Sequence, residues 1–143
     1  MMNASQQSPE DDTGSSGLVL IVDDDERQAR NIKDYLILQG IAAETAPNGF
    51  AAINAVKQLQ PAIVLLDIRM PGIDGIEVTR HVLRLDTSPT VILMSGYPES
   101  IHDANVAQLG VFAVVQKPLP LKIVAAFVRR AFAARPDETS EED

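Results

Sequence analysis

Ala62-Ile63-Val64-Leu65-Leu66-Asp67-Ile68-Arg69-Met70-Pro71-Gly72 decides the fold. A short apolar run rich in β-branched residues stops at a carboxylate, and Pro71 and Gly72 end the regular structure at once. A run this short and this apolar reads as a fully buried strand. Strands with no polar alternation belong to parallel sheets covered on both faces. Asp67 then stands at the carboxyl end of its strand, the edge at which open α/β sheets bind ligands. Leu18-Val19-Leu20-Ile21-Val22, followed by Asp23-Asp24-Asp25, repeats the arrangement. If the two strands are parallel neighbours, their acidic ends share one edge. Carboxylates crowded together need protons or a cation. Magnesium, a hard ion that takes oxygen ligands and shares them with phosphate, fits that requirement.

The rest of the chain extends the pattern. Helices are expected at Glu26 to Gln39, Phe50 to Leu59, Ile76 to Leu85 and Leu121 to Phe132, with a weaker one at Glu99 to Leu109. Asp25 is the expected N-cap of the first helix and Gly40 its C′ stop. Further strands are expected at Ile41 to Thr45, Thr90 to Met94 and Val111 to Val115. Alternating strands and helices give right-handed βαβ units and a parallel sheet with helices on both faces. Every strand except the second runs into a polar group: the Asp cluster, Asp67, Ser95 or Lys117. Polar groups recurring at one sheet edge point to one site.

With 143 residues, one domain is the expectation. Residues 1–17 have almost nothing to bury and read as a disordered leader, residues 18–135 as the folded domain, and residues 136–143 as a disordered acidic tail. There is no cysteine, so neither disulfides nor thiolate chemistry are available. His81 and His102 belong to no ligand-spaced motif and read as helix residues near the surface. A net charge of −8 argues against non-specific nucleic-acid binding, which needs clustered cations. No apolar run approaches the ~20 residues of a membrane span, and the amino terminus lacks the pattern of a secretory signal. A soluble, cytoplasmic protein is the default.

Val22-Asp23-Asp24, Asp67-Ile68-Arg69-Met70-Pro71-Gly72-Ile73-Asp74-Gly75, Ser95-Gly96 and Lys117-Pro118 occur in an order and spacing that resemble the CheY-like receiver domain of bacterial response regulators in two-component systems. The resemblance covers the whole folded segment. It implies a flavodoxin-like three-layer sandwich with a five-stranded parallel sheet of order 2-1-3-4-5. It also implies a single-domain response regulator in which Asp67 takes a phosphoryl group from a histidine kinase or phosphotransfer protein. In that reading Asp24, Asp67 and the backbone carbonyl of Arg69 ligate Mg²⁺, and Asp23 acts through a metal-bound water. Lys117 pairs with a phosphoryl oxygen, helped by a cis Lys117–Pro118 bond. Ser95 moves to hydrogen-bond the phosphoryl group, and Gly96 keeps access open. Such a protein is not an enzyme in the ordinary sense, although it assists its own phosphorylation and dephosphorylation.

Alone, each residue has a plainer explanation. Asp25 reads as a solvated helix start, Asp74 as a turn residue, Lys117 as a surface lysine and Ser95 as a cap. Lys117 and Ser95 gain a role only through their position relative to Asp67. The chain also departs from the family pattern. Val114 stands where many receivers carry Tyr or Phe, and Phe112, of the same strand parity, is a distant substitute. Arg69 and Tyr97 occupy the variable positions two residues beyond Asp67 and Ser95, where bulky groups would slow water's access to an acyl phosphate. Ile123 and Phe127 fall together on the last helix. With the helix of 99–109 and the fifth strand they read as an apolar face for a protein partner, on a monomer or weak dimer. Two other functions compete. One is a phosphorylation-independent adaptor, motivated by Val114. The other is a magnesium-dependent phosphohydrolase, disfavoured because Arg69 stands where such enzymes commonly place a second acid.

Overall fold

The computed structural model describes residues 17–97, 99 and 108–135. Nine elements follow one another among the described residues: β1 (Val19–Val22), α1 (Glu26–Leu38), β2 (Ala43–Ala46), α2 (Gly49–Leu59), β3 (Ile63–Asp67), α3 (Gly75–Val82), β4 (Thr90–Ser95), β5 (Ala113–Gln116) and α4 (Leu121–Ala134). The expected disordered leader and tail lie outside the described residues but for Gly17. Most of the expected helix of 99–109 lies outside them too.

The five strands are parallel and ordered β2-β1-β3-β4-β5, the doubly wound order that the sequence implies. The sheet splits the core by strand parity. Val19, Ile21, Ile63, Leu65, Ile92 and Met94 face one side, against Ala29, Ile32 and Leu36 of α1 and Val124, Ala125 and Val128 of α4. Leu20, Val22, Val64, Leu66 and Leu93 face the other side, against Ala52 and Val56 of α2 and Val78 and Val82 of α3. Both faces of β1 and β3 are therefore dry, which is why these strands carry no polar alternation. Each large aliphatic side chain sealed there contributes about 1.5–3 kcal/mol.

Local chemistry sets the helix ends. Asp25 caps α1, its carboxylate accepting the Gln28 N–H at 3.1 Å. Asn48 caps α2 through the Ala51 N–H at 2.9 Å. Asp74, expected to be only a turn residue, is the N-cap of α3 and accepts the Glu77 N–H at 3.0 Å. At the end of α1, Gly40 takes φ +84°; its N–H donates to Ile37 O and the next N–H, from Ile41, to Leu36 O. This pair of bonds is a Schellman closure, and the left-handed residue at its centre favours glycine. Several expected ends shift: α3 stops at Val82 rather than Leu85, β2 begins at Ala43 rather than Ile41, β5 begins at Ala113 rather than Val111, and α4 runs on to Ala134 rather than Phe132.

Candidate functional site

The chain leaves β1, β3, β4 and β5 on the same edge of the sheet. β3 is held there on both sides, in register with β1 up to Val22–Leu66 and with β4 up to Asp67–Met94. Asp67 is thus the last residue of a rigid, buried strand and not part of a loop.

Three carboxylates meet at this edge. Oxygens of Asp23, Asp24 and Asp67 all lie within 4.8 Å of one another. Asp23 is buried and Asp24 exposed; Asp67 is buried, at 6 % exposure. Lys117 reaches in from the end of β5. Its ammonium donates to Asp23 Oδ2 at 3.0 Å and to Asp67 Oδ2 at 3.2 Å. The Lys117–Pro118 peptide is cis, as the resemblance implies. The other oxygens accept backbone donors: Asp23 Oδ1 from Asp25 N–H at 3.0 Å, and Asp67 Oδ1 from Arg69 N–H at 3.3 Å.

Burial pushes the Asp67 carboxyl above the usual carboxylate range; Lys117 opposes the rise and the neighbouring Asp23 charge adds to it. For Lys117, burial works to lower the ammonium, but bonding and attraction from Asp23, then Asp67, outweigh it and hold it above its ordinary value. One cation thus serves two carboxylates, and Asp67 is the less well served. Three carboxylates against one ammonium leave an excess of negative charge among oxygen donors only. That donor set fits a hard divalent cation such as magnesium. Asp23, Asp24 and Asp67 are the side chains that could hold it, with the Arg69 carbonyl beside them in the chain.

Ser95 ends β4, fully buried, and is turned toward its own loop. Its Oγ accepts the Tyr97 N–H at 2.9 Å and donates to the Tyr97 carbonyl at 3.2 Å. Lys117 N–H donates to the Ser95 carbonyl at 2.8 Å, so β4 and β5 stay paired up to the site. The Arg69 guanidinium lies 4.2 Å from the centre of the Tyr97 ring and 3.5 Å from the Glu99 carboxylate. Arg69 and Tyr97 therefore clasp the β3 and β4 loops together over a hollow of about 280 Å³ that Asp23, Asp24, Asp67 and Lys117 line. Gly96 borders the same hollow, and a Cβ there would meet nothing within 4 Å. Glu99, legible in sequence only as the first residue of a helix, enters the site's surroundings by pairing with Arg69.

A family model for the response regulator receiver domain matches residues 19–129. The chain belongs to the response regulator receiver domain family. Regulatory protein AtoC of Escherichia coli is 35 % identical over 113 residues, which is 79 % of this chain and 24 % of AtoC. The DNA-binding response regulator MtrA of Mycolicibacterium smegmatis is 32 % identical over 123 residues, 86 % of this chain and 54 % of MtrA. The chain thus spans about a quarter to a half of these relatives. Among solved structures, a signal receiver domain from Bermanella marisrubri superposes with a TM-score of 0.75 at 27 % identity, covering 82 % of this chain and 99 % of that one. Thermotoga maritima TrrA, solved in complex with Mg²⁺-BeF, superposes with a TM-score of 0.73 at 26 % identity, covering 81 % of this chain and 99 % of that one.

Val114 stands on β5 at the position where the resemblance leads one to expect an aromatic. Val114 is half-buried on the α2/α3 side of β5. Phe112 precedes β5 and its N–H donates to Val91 O. Ser95 is level with Gln116, so Phe112 lies four residues, roughly 13 Å, back along the strand. Phe112 therefore does not stand in for the missing ring. Among the described residues, the aromatic bonded to Ser95 is Tyr97, through its backbone.

On α4, Ile123 is exposed, but Phe127 is half-buried against the α1/α4 core and has Arg130 5.6 Å over its ring. The expected two-residue apolar face reduces, among the described residues of α4, to Ile123 with part of Phe127. No helix among the described residues is long and apolar enough to cross a membrane.

Proposed function

We propose that this receiver domain accepts a phosphoryl group on Asp67 from a phosphohistidine of a sensor kinase or phosphotransfer protein, in a magnesium-dependent step. The signal then passes on by phosphorylation-dependent protein contact, in the cytoplasm. The observation that carries this reading is the position of Asp67: a strand-end carboxylate beside Lys117, Asp23 and Asp24, at the mouth of a small hollow.

An Asp67 carboxylate oxygen attacks phosphorus, the phosphorus–nitrogen bond of the donor breaks, and the imidazole leaves with the bonding pair. The product is an acyl phosphate on Asp67. Asp23, Asp24, Asp67 and the Arg69 carbonyl would hold magnesium, which when bound neutralises charge on the donor and the transferring phosphoryl group. Lys117 gives a compact positive charge for a phosphoryl oxygen. To do so it must loosen its hold on Asp67, while Asp23 keeps it at the site. Ser95 reaches the phosphoryl group only by giving up its bonds to the Tyr97 backbone. Its movement is thereby tied to the loop that carries the Arg69–Tyr97 clasp, and that loop takes the place of the absent aromatic at position 114 in the readout.

The test is intact mass after incubation with Mg²⁺ and acetyl phosphate. Wild type should gain one phosphoryl group and Asp67→Asn none. A gain that survives Asp67→Asn would move the acceptor elsewhere. Absence of a gain from both acetyl phosphate and a panel of phosphorylated histidine phosphotransfer proteins would overturn the reading.

A further inference from the structure

We propose that Gly75 is a positioning residue for Asp67: because it has no side chain, α3 can seat its first turn directly on the Asp67–Ile68 backbone and so fix where the carboxylate points. The inference rests on Asp67 being the phosphoacceptor, and it extends the site to a residue that touches no substrate.

Gly75 opens α3 and is buried there. A Cβ on it would collide with the Asp67 carbonyl oxygen, stand 2.8 Å from Ile68 Cα and 3.0 Å from the Asp67 carbonyl carbon. All three obstacles are backbone atoms, so none can rotate away. Gly49 offers the contrast. A Cβ there would run mainly into the side-chain methyls of Ile73 and Val78, which have rotamers to change.

The approach is fixed by hydrogen bonds as well as by space. Gly75 N–H donates to the Ile68 carbonyl at 2.8 Å, while Ile68 N–H donates to Met94 O at 2.9 Å. The peptide units just after Asp67 are thus pinned from α3 and from β4 together. The Gly75 carbonyl in turn accepts the hydroxyl of Thr79 at 2.7 Å, and Thr79 is fully buried. A hydroxyl sealed in an apolar layer needs that partner, so Thr79 holds the first turn of α3 in the place where it meets β3.

A side chain at position 75 forces α3 and the end of β3 apart. On one side β3 is held by its ladder to β1 and β4, and on the other α3 is held by Val78 and Val82 in the core. The backbone that must yield is the Asp67–Ile68 segment that the Cβ would strike, and Asp67 Oδ1 also depends on the Arg69 N–H at 3.3 Å. Displacing that backbone re-aims the carboxylate relative to Lys117 and Asp23. Misplacements of about 1 Å at a reacting group can cost as much as 10²-fold in rate.

The experiment compares wild type, Gly75→Ala and Val82→Ala for melting temperature, Mg²⁺ affinity by calorimetry and phosphorylation rate with acetyl phosphate. Val82→Ala removes buried volume from the same helix without approaching Asp67, and reports what loss of stability alone does. Gly75→Ala should lower both Mg²⁺ affinity and rate roughly tenfold or more, and Val82→Ala should leave both within about twofold. A folded Gly75→Ala with both quantities near wild type overturns the proposal, and so does a Val82→Ala that loses as much. If Gly75→Ala does not fold, Thr79→Val and Thr79→Ser decide. A fall in Mg²⁺ affinity in Val that Ser restores supports the proposal, and no fall refutes it. If wild type gains no phosphoryl group from acetyl phosphate, the phosphotransfer-protein panel decides the acceptor reading separately, and Mg²⁺ affinity still decides the role of Gly75.

Discussion

Lys117 Nζ stands 3.2 Å from Asp67 Oδ2, across 50 residues of chain, and gives its shorter bond, 3.0 Å, to Asp23. The lysine offsets part of the charge of the acidic cluster, at its two buried carboxylates. Lys117→Met should therefore destabilise the metal-free protein at neutral pH. Breaking a buried pair costs ~3–5 kcal/mol, and the lower end applies because the lysine side chain keeps 18 % of its exposure. Because its value is raised, the stabilisation from Lys117 is fully present below the ordinary lysine range and is lost only as pH rises through the raised value. Denaturant melts at pH 7 check the first point. A Lys117→Met protein as stable as wild type would mean that the carboxylates need no counter-charge.

Asp67→Asn should do the opposite. The Asp67 carboxyl is raised, chiefly by burial. The folded state then binds a proton there more tightly than the unfolded chain does, and stability falls as pH rises through the raised value. At pH 7 without metal the ionised group costs stability, and asparagine removes that cost. The melting temperature of Asp67→Asn should exceed that of wild type at neutral pH. The gap should narrow as pH falls toward the ordinary carboxylate value, about 4. An asparagine variant that melts below wild type at pH 7 contradicts the sign.

Asp24 separates the metal from the fold. It is exposed, unlike Asp23 and Asp67, so Asp24→Asn should leave metal-free stability within about 0.5 kcal/mol of wild type. An ion that binds only the folded state raises the melting temperature by mass action. Millimolar Mg²⁺ should stabilise wild type and have little effect on Asp24→Asn. Equal Mg²⁺ shifts in both would remove Asp24 from the ligand set.

Arg69 and Tyr97 should act as one unit on the lifetime of the Asp67 phosphate. Their contact, 4.2 Å from guanidinium carbon to ring centre, bridges the two loops over the site. Arg69→Ala and Tyr97→Ala should each speed the decay of phosphorylated protein, and the double variant should be little faster than either single one. Groups that share one interaction are not additive. Decay rates by mass spectrometry after removal of the donor decide this, and no acceleration in either variant sinks the shielding role.

Most of the framework is legible in the sequence for one reason: both faces of β1 and β3 are dry. Val19 to Val22 and Ile63 to Leu66 are apolar without interruption, so strand type, parallel pairing and the strand-end positions of Asp23, Asp24 and Asp67 follow together. Ser95 and Lys117 take their meaning from that edge, although which way Ser95 turns is set by the Tyr97 backbone and not by any pattern. What stays hidden depends on tertiary distance. Asp74-Gly75 looks like ordinary turn chemistry, yet Asp74 caps α3 and Gly75 lies against Asp67. Nothing in residue spacing pairs Glu99 with Arg69. The early end of α3 follows Leu83 and Leu85 leaving the helix while still packing on its side of the sheet, so their apolar spacing reads as continued helix.

Ile123 and Phe127, alike in sequence, should differ in experiment. Ile123 is exposed on α4, whereas Phe127 packs in part against the α1/α4 core and lies under Arg130. Ile123→Glu should leave the melting temperature within a degree or two of wild type, since exposed substitutions away from special features stay within about 0.5 kcal/mol. Phe127→Lys should lose packing and destabilise by about 1–3 kcal/mol, because the lysine's stem covers some of the same surface while its charge must reach water. If α4 meets the output partner, Ile123→Glu is the variant that isolates this contact: binding of phosphorylated protein should fall while phosphorylation on Asp67 stays at the wild-type rate. A pulldown that recovers the same partners with phosphorylated wild type and Ile123→Glu would place the output surface elsewhere, whatever Phe127→Lys does.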